Sequence, residues 1–581
     1  MENSVNNKPS QLKPWLQFFS KEAIASEMPR ETIYNVIKKN NEGHEHRFAL
    51  NYFTNRITYG RLFDEIDKVA ASFKKLGVKK GDIVVCCTVT IPEMVYVLYA
   101  LNKIGATLFT VDPRMPGEFV MKTVHDAKAK VLIYLDLANQ LIEPIIPDLK
   151  VKKVIVYSAT LSMPHYLRLA AKFKLGSPTI KYSDKVWSWK TFVKYGEGET
   201  TDVAEYGENN VAAITLTGGT TGTPKGVMLT NDGFNAIMHD FKNCGVKYTR
   251  HRRFLNIIPA FSSYGIVSSL HMPLGLGLED VIIAKFDADK VGKYVKKYRP
   301  EHTLMVPAHY EKLMNSKEMT ASFSLEFFET AGSGGDTMNE GLEQKLNNFL
   351  KSRGGKFPLS QGYGMSEVSS AAACSCDGNF RSMSVGYPLL TSNISIFEPG
   401  TTNELGFNEE GEICISGPSI MAGYFNNEKE TEEIMIKHPD GEIWVHSGDL
   451  GYMDEDGYIF IKGRIKRMII LFNGHKVFPT QIEDVMGKHE CVYSCAAVGV
   501  KDRRNAQGQR PLAVVQLCDG ADKDAVRKEL FDSFNTALDS SSVPFDIWFI
   551  DKMPRTGMDK IAYGQLADDY EEMIDKQAAT V

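Results

Sequence analysis

The strongest chemical signal in this chain is a single lysine set among glycines and threonines. Residues 217–229 read TGGTTGTPKGVML and lie between two strand-like runs, NVAAITL and GVML. Glycines such as Gly219 and Gly222 let backbone N–H groups approach an anion closely. The hydroxyls of Thr217, Thr220 and Thr221 add donors, and Lys225 supplies a point charge. The natural guest of such a loop is a polyphosphate. It is not the Walker loop, in which lysine directly follows glycine and opens a helix; here Thr223 and Pro224 separate Gly222 from Lys225, and a strand follows.

The elements that must position this loop are legible from periodicity. Over residues 82–158, short β-rich runs (IVVCCTV, ATLFTV, KVLIYL, VKKVIVYS) alternate with helix-like stretches such as PEMVYVLYALNKIG, the pattern of parallel β-α-β layers. It resumes over residues 253–364, so two stacked α/β sheets are expected. Leu62, Ile66, Val69, Ala70, Phe73 and Leu76 recur at helical spacing and predict a covering amphipathic helix over 60–76. From 385 to 462 short strands separated by turn signals predict a mostly antiparallel β subdomain, and the chain after Arg464 suits one small α+β domain. The fold class is therefore α/β, with an N-terminal domain over 1–464 and a C-terminal domain over 465–581.

Composition narrows the function classes. A formal net charge of −5 offers no basic field for nucleic acid, and 43% hydrophobic with 24% charged residues is ordinary globular usage. The nine cysteines show no C-x-x-C pair, which fits a reducing compartment and no zinc site. The start of the chain lacks a basic segment followed by an apolar one, so the cytoplasm is the expected location. The apolar stretch 83–111 contains Glu93, Lys103, Pro92 and Gly105 and reads as core, so no stable membrane insertion is expected. Residues 162–194 are rich in Lys and Arg. PHYLRLAAKFKLG reads first as a solvated surface helix, with weak contact to a lipid surface or a partner as the alternative. Oligomeric state leaves no signal.

TGGTTGTPKG resembles the signature of the AMP-forming acyl- and aryl-CoA synthetases, a family shared with firefly luciferase and peptide-synthetase adenylation domains. Further matches follow in the family's order, from about Tyr52 to Lys560. AGSGGD at 331–336 is similar to a loop whose glycines, Gly334 and Gly335, lie against the nucleotide. QGYGMSE at 361–367 resembles the nucleotide-holding segment. The resemblance implies nucleotide binding by Gln361, Gly362, Tyr363 and Gly364, with Tyr363 against adenine and Ser366 near the α-phosphate. It also puts Glu367, with Thr220 in the phosphate loop, on Mg²⁺. A lone glutamate beside a hydroxyl suits that ion, which prefers one or two carboxylates plus phosphate oxygens. HSGDLGYMDEDGYIFIKGR at 446–464 resembles the ribose segment, implying that Asp449 and Arg464 bind the ribose hydroxyls. Lys466 matches the hinge about which the C-terminal domain rotates, Gly474 a segment lining the pantetheine tunnel, and Lys560 in MPRTGMDKI the lysine that reaches the reacting centre.

The resemblance implies activation of a carboxylic acid by Mg·ATP to acyl-AMP and pyrophosphate, followed by transfer to CoA. Lys225, Glu367, Lys466 and Lys560 would carry the catalytic roles. PAFSSYG at 259–265 matches the acid-pocket segment, in which Ser262 stands where a histidine is common; Phe261, Ser262, Tyr264 and Gly265 are the expected pocket residues. A fatty or other hydrophobic acid is favoured, since this segment places no aspartate to pair with an α-amino group. Ile470 stands where luciferase-like members carry a second lysine, which disfavours oxidative luciferase chemistry. Two other readings share these motifs: an adenylate former that loads a carrier protein, and a non-catalytic acyl-nucleotide-binding module.

Overall fold

The computed structural model describes residues 8–175, 178–217, 224–505, 507–555 and 561–579. A seven-stranded sheet runs in the order Val186–Ser188, Lys153–Tyr157, Val131–Leu135, Ile83–Cys87, Thr107–Val111, Val211–Leu216 and Gly226–Thr230. It is parallel except for its last pair, the two strands that flank the phosphate-loop motif. A nine-stranded sheet is parallel through its centre, where Thr330–Ser333, His302–Met305, Arg253–Asn256 and Glu279–Ile282 lie beside one another in a crossed order. Ser360–Tyr363 pairs parallel with Thr330–Ser333 and antiparallel with Ala373–Cys374. The Phe48–Tyr52 and Asn55–Thr58 hairpin, contributed from early in the chain, completes the opposite edge.

Both faces of the sheets are covered, which is why their strands read as nearly unbroken apolar runs. Period-two alternation survives inside them. Val84, Cys86 and Leu108 face one core, which also contains Leu50, Phe254 and Ile282 from the nine-stranded sheet; Val85, Cys87 and Phe109 face another. Helices Tyr59–Lys75, Pro92–Lys103 and Asn231–Asn243 contribute to the core shared by the two sheets, and Val291–Tyr298 and Glu340–Ser352 cover the outer face of the second. The predicted helix over 60–76 thus forms, its start fixed by the Thr58 hydroxyl accepting from the Arg61 N–H at 3.2 Å. The apolar stretch 83–111 is strand, helix and strand. Its buried Glu93 accepts from the Ser162 hydroxyl at 2.7 Å, and its Lys103 pairs with Asp67 at 2.6 Å. Among the described residues, no helix is long and apolar enough to cross a membrane.

The β subdomain is an antiparallel sheet of Asn393–Phe397, Gly411–Ser416, Ile443–Met453, Met435–Lys437 and Ile459–Arg464. Beyond it, Val492–Lys501, Gln509–Leu517 and Asp546–Phe549 form a small sheet with its own apolar core, packed by Pro479–Gly487, Lys523–Ala537 and Tyr563–Ala579. This is the expected small α+β C-terminal domain.

Candidate active site

Two loops leave the carboxyl ends of neighbouring parallel strands, the place where open α/β sheets bind ligands. Strand Thr330–Ser333 runs into Gly334 and Gly335, and Ser360–Tyr363 into 364–367, with Ser333 and Gln361 in register. The loops nearly touch: a Cβ on Gly334 would sit 3.3 Å from the Gly362 carbonyl oxygen and 3.8 Å from the Tyr264 hydroxyl. At Gly364 a Cβ would fall inside the Ser370 carbonyl oxygen, so this turn accepts only glycine.

A buried carboxylate is gripped from two sides. Asp449 and Arg464 are paired across antiparallel strands, and the Arg464 Nε–H donates to Asp449 Oδ1 at 2.8 Å. The Tyr363 hydroxyl donates to Asp449 Oδ2, also at 2.8 Å. The Asp449 charge raises the pKa of Arg464, whose side chain remains about half exposed (51%). Burial, then the same carboxylate, keeps the Tyr363 phenol protonated. A fixed carboxylate beside an accessible guanidinium can accept from and donate to a sugar diol.

The SGD segment carrying Asp449, where the pairing of strands Gly411–Ser416 and Ile443–Met453 shifts register, is braced from behind. Glu412 accepts from the Gly448 N–H and meets His446 Nδ1, both at 2.9 Å, while the Ser447 hydroxyl donates to the Ile413 carbonyl and accepts from the Asp449 N–H. Burial pushes the Glu412 pKa up, but the hydrogen bonds from His446 and Gly448 outweigh it and hold the group below its ordinary value.

The metal and phosphate candidates meet at one tyrosine. The Tyr424 hydroxyl donates to Glu367 Oε1 at 2.6 Å, while the Lys225 ammonium lies 4.7 Å from the centroid of the same ring. The backbone fixes this arrangement, because segment 423–425 adds itself to the edge strand Gly226–Thr230: the Met228 N–H donates to Gly423, and the Phe425 N–H to Gly226. Burial, then the Glu367 charge, raises the Tyr424 pKa. Lys225 also pairs with Glu430, whose pKa is lowered first by that bond, then by Asn427, with the Lys466 charge contributing. Neither Tyr424 nor Glu430 stood out in the sequence, since MAGYFNN reads as an ordinary turn and their partners are distant in the chain.

The remaining predicted residues divide. Ser366 accepts from the Ser263 hydroxyl at 2.9 Å, and Thr217 closes the base of the phosphate loop by exchanging backbone and hydroxyl bonds with Lys225. Gly219, Thr220, Thr221, Gly222 and Lys560 lie outside the described residues. The Gln361 amide is engaged by Glu343 at 2.7 Å. In the expected acid pocket Phe261 and Ser262 are buried, but the Ser262 hydroxyl closes on its own turn, donating to the Pro259 carbonyl and accepting from the Gly265 N–H. The Tyr264 ring lies beside Gly335. Lys466 is exposed in the short turn Ile465–Arg467, and Gly474 sits at the tip of the hairpin formed by Ile469–Ile470 and Lys476–Val477, with nothing packed against its α-carbon.

The C-terminal domain docks beside this site. A cleft of about 270 Å³ separates Pro307, Glu311 and Asp336 from Glu483, Asp484 and Tyr563. Arg467 donates to Glu483 at 2.6 Å with its guanidinium 3.5 Å from the Tyr563 ring centroid, and Lys488 pairs with Glu340 across the gap at 2.7 Å. Gly341 and Gly487 meet backbone to backbone, leaving no room for a Cβ on Gly341. Burial, reinforced by Glu483, pushes the Asp484 pKa up to about 6.

Residues 37–425 match the family described as AMP-binding enzyme, and residues 481–560 its C-terminal domain; the chain belongs to that family. It is 28% identical over 580 residues to a long-chain-fatty-acid–CoA ligase of Bacillus subtilis (strain 168), covering 96% of this chain and 98% of that protein. A probable 4-coumarate–CoA ligase 1 of Dictyostelium discoideum is 28% identical over 515 residues, with 87% and 89% covered. The fold is shared with ATP-bound MatB from Rhodopseudomonas palustris (TM-score 0.79, 21% identity, 93% of this chain and 99% of that one). It is shared also with the anthranilate CoA ligase AuaEII in complex with anthranoyl-AMP (TM-score 0.78, 19% identity, 95% and 99%).

Proposed function

We propose that this chain is an AMP-forming acid–thiol ligase acting on a hydrophobic carboxylic acid. The observation that carries this reading is the convergence of Glu367 and Lys225 on Tyr424, beside the Asp449–Arg464 pair. Groups for a triphosphate, its counter-ion and a ribose stand in one cleft edge. The relatives named as fatty-acid and 4-coumarate CoA ligases support a hydrophobic acid and CoA as acceptor.

In the first step the acid's carboxylate attacks the α-phosphorus of ATP, the bond to the bridging oxygen breaks, and pyrophosphate leaves. No enzyme nucleophile is needed, so positioning and charge neutralisation carry the chemistry. Thr217, Lys225 and the loop threonines hold the leaving pyrophosphate. Tyr363 and the glycines at 334, 335, 362 and 364 hold the base, Ser366 lies by the α-phosphate, and Asp449 with Arg464 fix the ribose. Lys560 neutralises the reacting centre. Glu367 is an oxygen ligand beside the Tyr424 hydroxyl, which fits Mg²⁺; with Thr220 it would hold that ion, which would supply counter-charge to the phosphates. In the second step the CoA sulfur attacks the acyl carbonyl and AMP leaves, after the C-terminal domain has turned about Lys466 and withdrawn Lys560. The N- and C-terminal domains divide at 464/465 in this reading.

Pyrophosphate release over an acid panel, with and without CoA, tests the proposal. A hydrophobic acid should give ATP–pyrophosphate exchange alone and thioester when CoA is added, and Lys560→Ala should slow exchange by about 10² to 10³-fold. Exchange without any thioester would point to a carrier protein as acceptor. Equal exchange by Lys560→Ala and the parent would overturn the mechanism.

A further inference from the structure

Lys225 does not wait for a phosphate as a free charge. Its ammonium lies 4.7 Å from the Tyr424 ring centroid and is ion-paired with Glu430, both side chains being about one-third exposed (35% and 36%). Each end of this pair is fixed by the fold. The Lys225 carbonyl accepts from the Thr217 N–H at 2.9 Å, and the Lys225 N–H donates to the Thr217 hydroxyl at 3.3 Å. Glu430 is the third residue of helix Glu428–Ile434, whose N-cap is Asn427.

Asn427 and Glu430 cap each other. The Asn427 side-chain carbonyl accepts from the Glu430 N–H at 3.3 Å, and its amide donates to Glu430 Oε1 at 3.1 Å. One carboxylate oxygen is thereby committed to the cap, and Oε2 is left to Lys225. The helix is tied in turn to the tyrosine, because the Thr431 hydroxyl accepts from the Tyr424 N–H and donates to the Asn427 carbonyl, both at 2.8 Å. A carboxylate held in this way neutralises Lys225 before nucleotide arrives; once β- and γ-phosphates reach the lysine, two anions compete for one ammonium. The Lys466 charge also acts on Glu430, so a carboxylate displaced from Lys225 still faces a cation.

We propose that Glu430 is a positioning residue that serves as the resident counter-ion of Lys225: it parks the lysine over Tyr424, gives way to the triphosphate, and retakes the lysine as pyrophosphate leaves. Release of pyrophosphate then never leaves Lys225 unpaired. The same carboxylate weakens the hold on pyrophosphate, which favours its departure. This inference rests on the ligase reading, in which Lys225 meets the leaving pyrophosphate, and is independent of the acid and of the acceptor.

Titration calorimetry of the full chain with magnesium pyrophosphate, ATP and AMP tests it in the parent, in Glu430→Gln and in Glu433→Gln. Glutamine at the third helical position keeps the reciprocal cap and removes only the charge. Glu433, exposed on the same helix, supplies the same change in net charge as a control. Glu430→Gln should bind pyrophosphate and ATP about three- to fivefold more tightly, within the range of a partly exposed ion pair, and the KM for pyrophosphate in exchange should fall by the same factor. Its affinity for AMP, which carries no β- or γ-phosphate, should match the parent's, and Glu433→Gln should match the parent throughout. A capping role alone predicts equal or weaker binding by Glu430→Gln, so either result overturns the proposal, as does an equal gain in Glu433→Gln or a gain that extends to AMP. A parent that binds neither pyrophosphate nor ATP would remove the ligase reading itself, and this inference with it.

Discussion

Tyr424 joins two charges that the chain separates widely, Glu367 through its hydroxyl and Lys225 through its ring face. The two contacts can be removed independently. Tyr424→Phe deletes only the hydrogen bond to a buried carboxylate, an interaction typically worth about 1.5–3 kcal/mol, so exchange should fall by roughly 10 to 100-fold and the Mg²⁺ concentration needed for half-maximal rate should rise. Tyr424→Ala also removes the ring beneath Lys225 and should in addition raise the KM for ATP; titrating rate against metal and nucleotide separates the two. The ends of this arrangement are legible in the sequence and its middle is not. Lys225 and Glu367 sit in motifs dense in glycine and hydroxyls, whose chemistry is local. Tyr424 acquires its role only when segment 423–425 pairs with strand Gly226–Thr230, and nothing nearby in the sequence marks that pairing. Glu343, which takes the Gln361 amide, was hidden in the same way.

The Gly411–Ser416 and Ile443–Met453 strands work as a unit, because Glu412 on one holds the backbone that presents Asp449 on the other. The hydrogen bonds from His446 and Gly448 place its pKa below the ordinary glutamate value. Its contribution to stability is therefore fully present above the unfolded value, near 4.3, and is lost as pH falls through the lower folded value. Glu412→Gln should destabilise the parent at neutral pH and flatten the acid limb of its stability profile; urea unfolding of both proteins between about pH 3 and pH 7 measures the difference. An unchanged acid limb would remove Glu412 from this role. The strands themselves were legible, since NISIFEPG, GEICISG and EIWVHSGD carry alternation and turn signals. Their brace was not, because a glutamate in GEICISG looks like a solvated strand residue until its neighbours are placed.

Across the whole molecule, the contact between Gly341 and Gly487 joins the two domains through their backbones, with no room for a Cβ between them. Gly341→Ala should disfavour that docking while leaving each domain's own core intact. Exchange and thioester formation should then change by different factors, and limited proteolysis around residue 465 should become faster. Equal changes in both half-reactions would separate the contact from domain motion. The two-sheet architecture was visible in hydrophobic periodicity, whereas the domain contact was not, because it is made by glycines and by charges that look solvated in isolation. The same cleft has a consequence for bulk solution. Asp484 is pushed up to about 6 where the domains close, and Glu311 opposite it is raised as well, first by burial. A raised carboxylate favours this arrangement below the unfolded value and withdraws that support as pH rises through about 6. Each closure near that pH therefore draws protons from the buffer and each opening returns them. The heat of closure should accordingly vary with the ionisation enthalpy of the buffer near pH 6 and become buffer-independent in Asp484→Asn with Glu311→Gln, a difference that titration calorimetry with nucleotide reads directly.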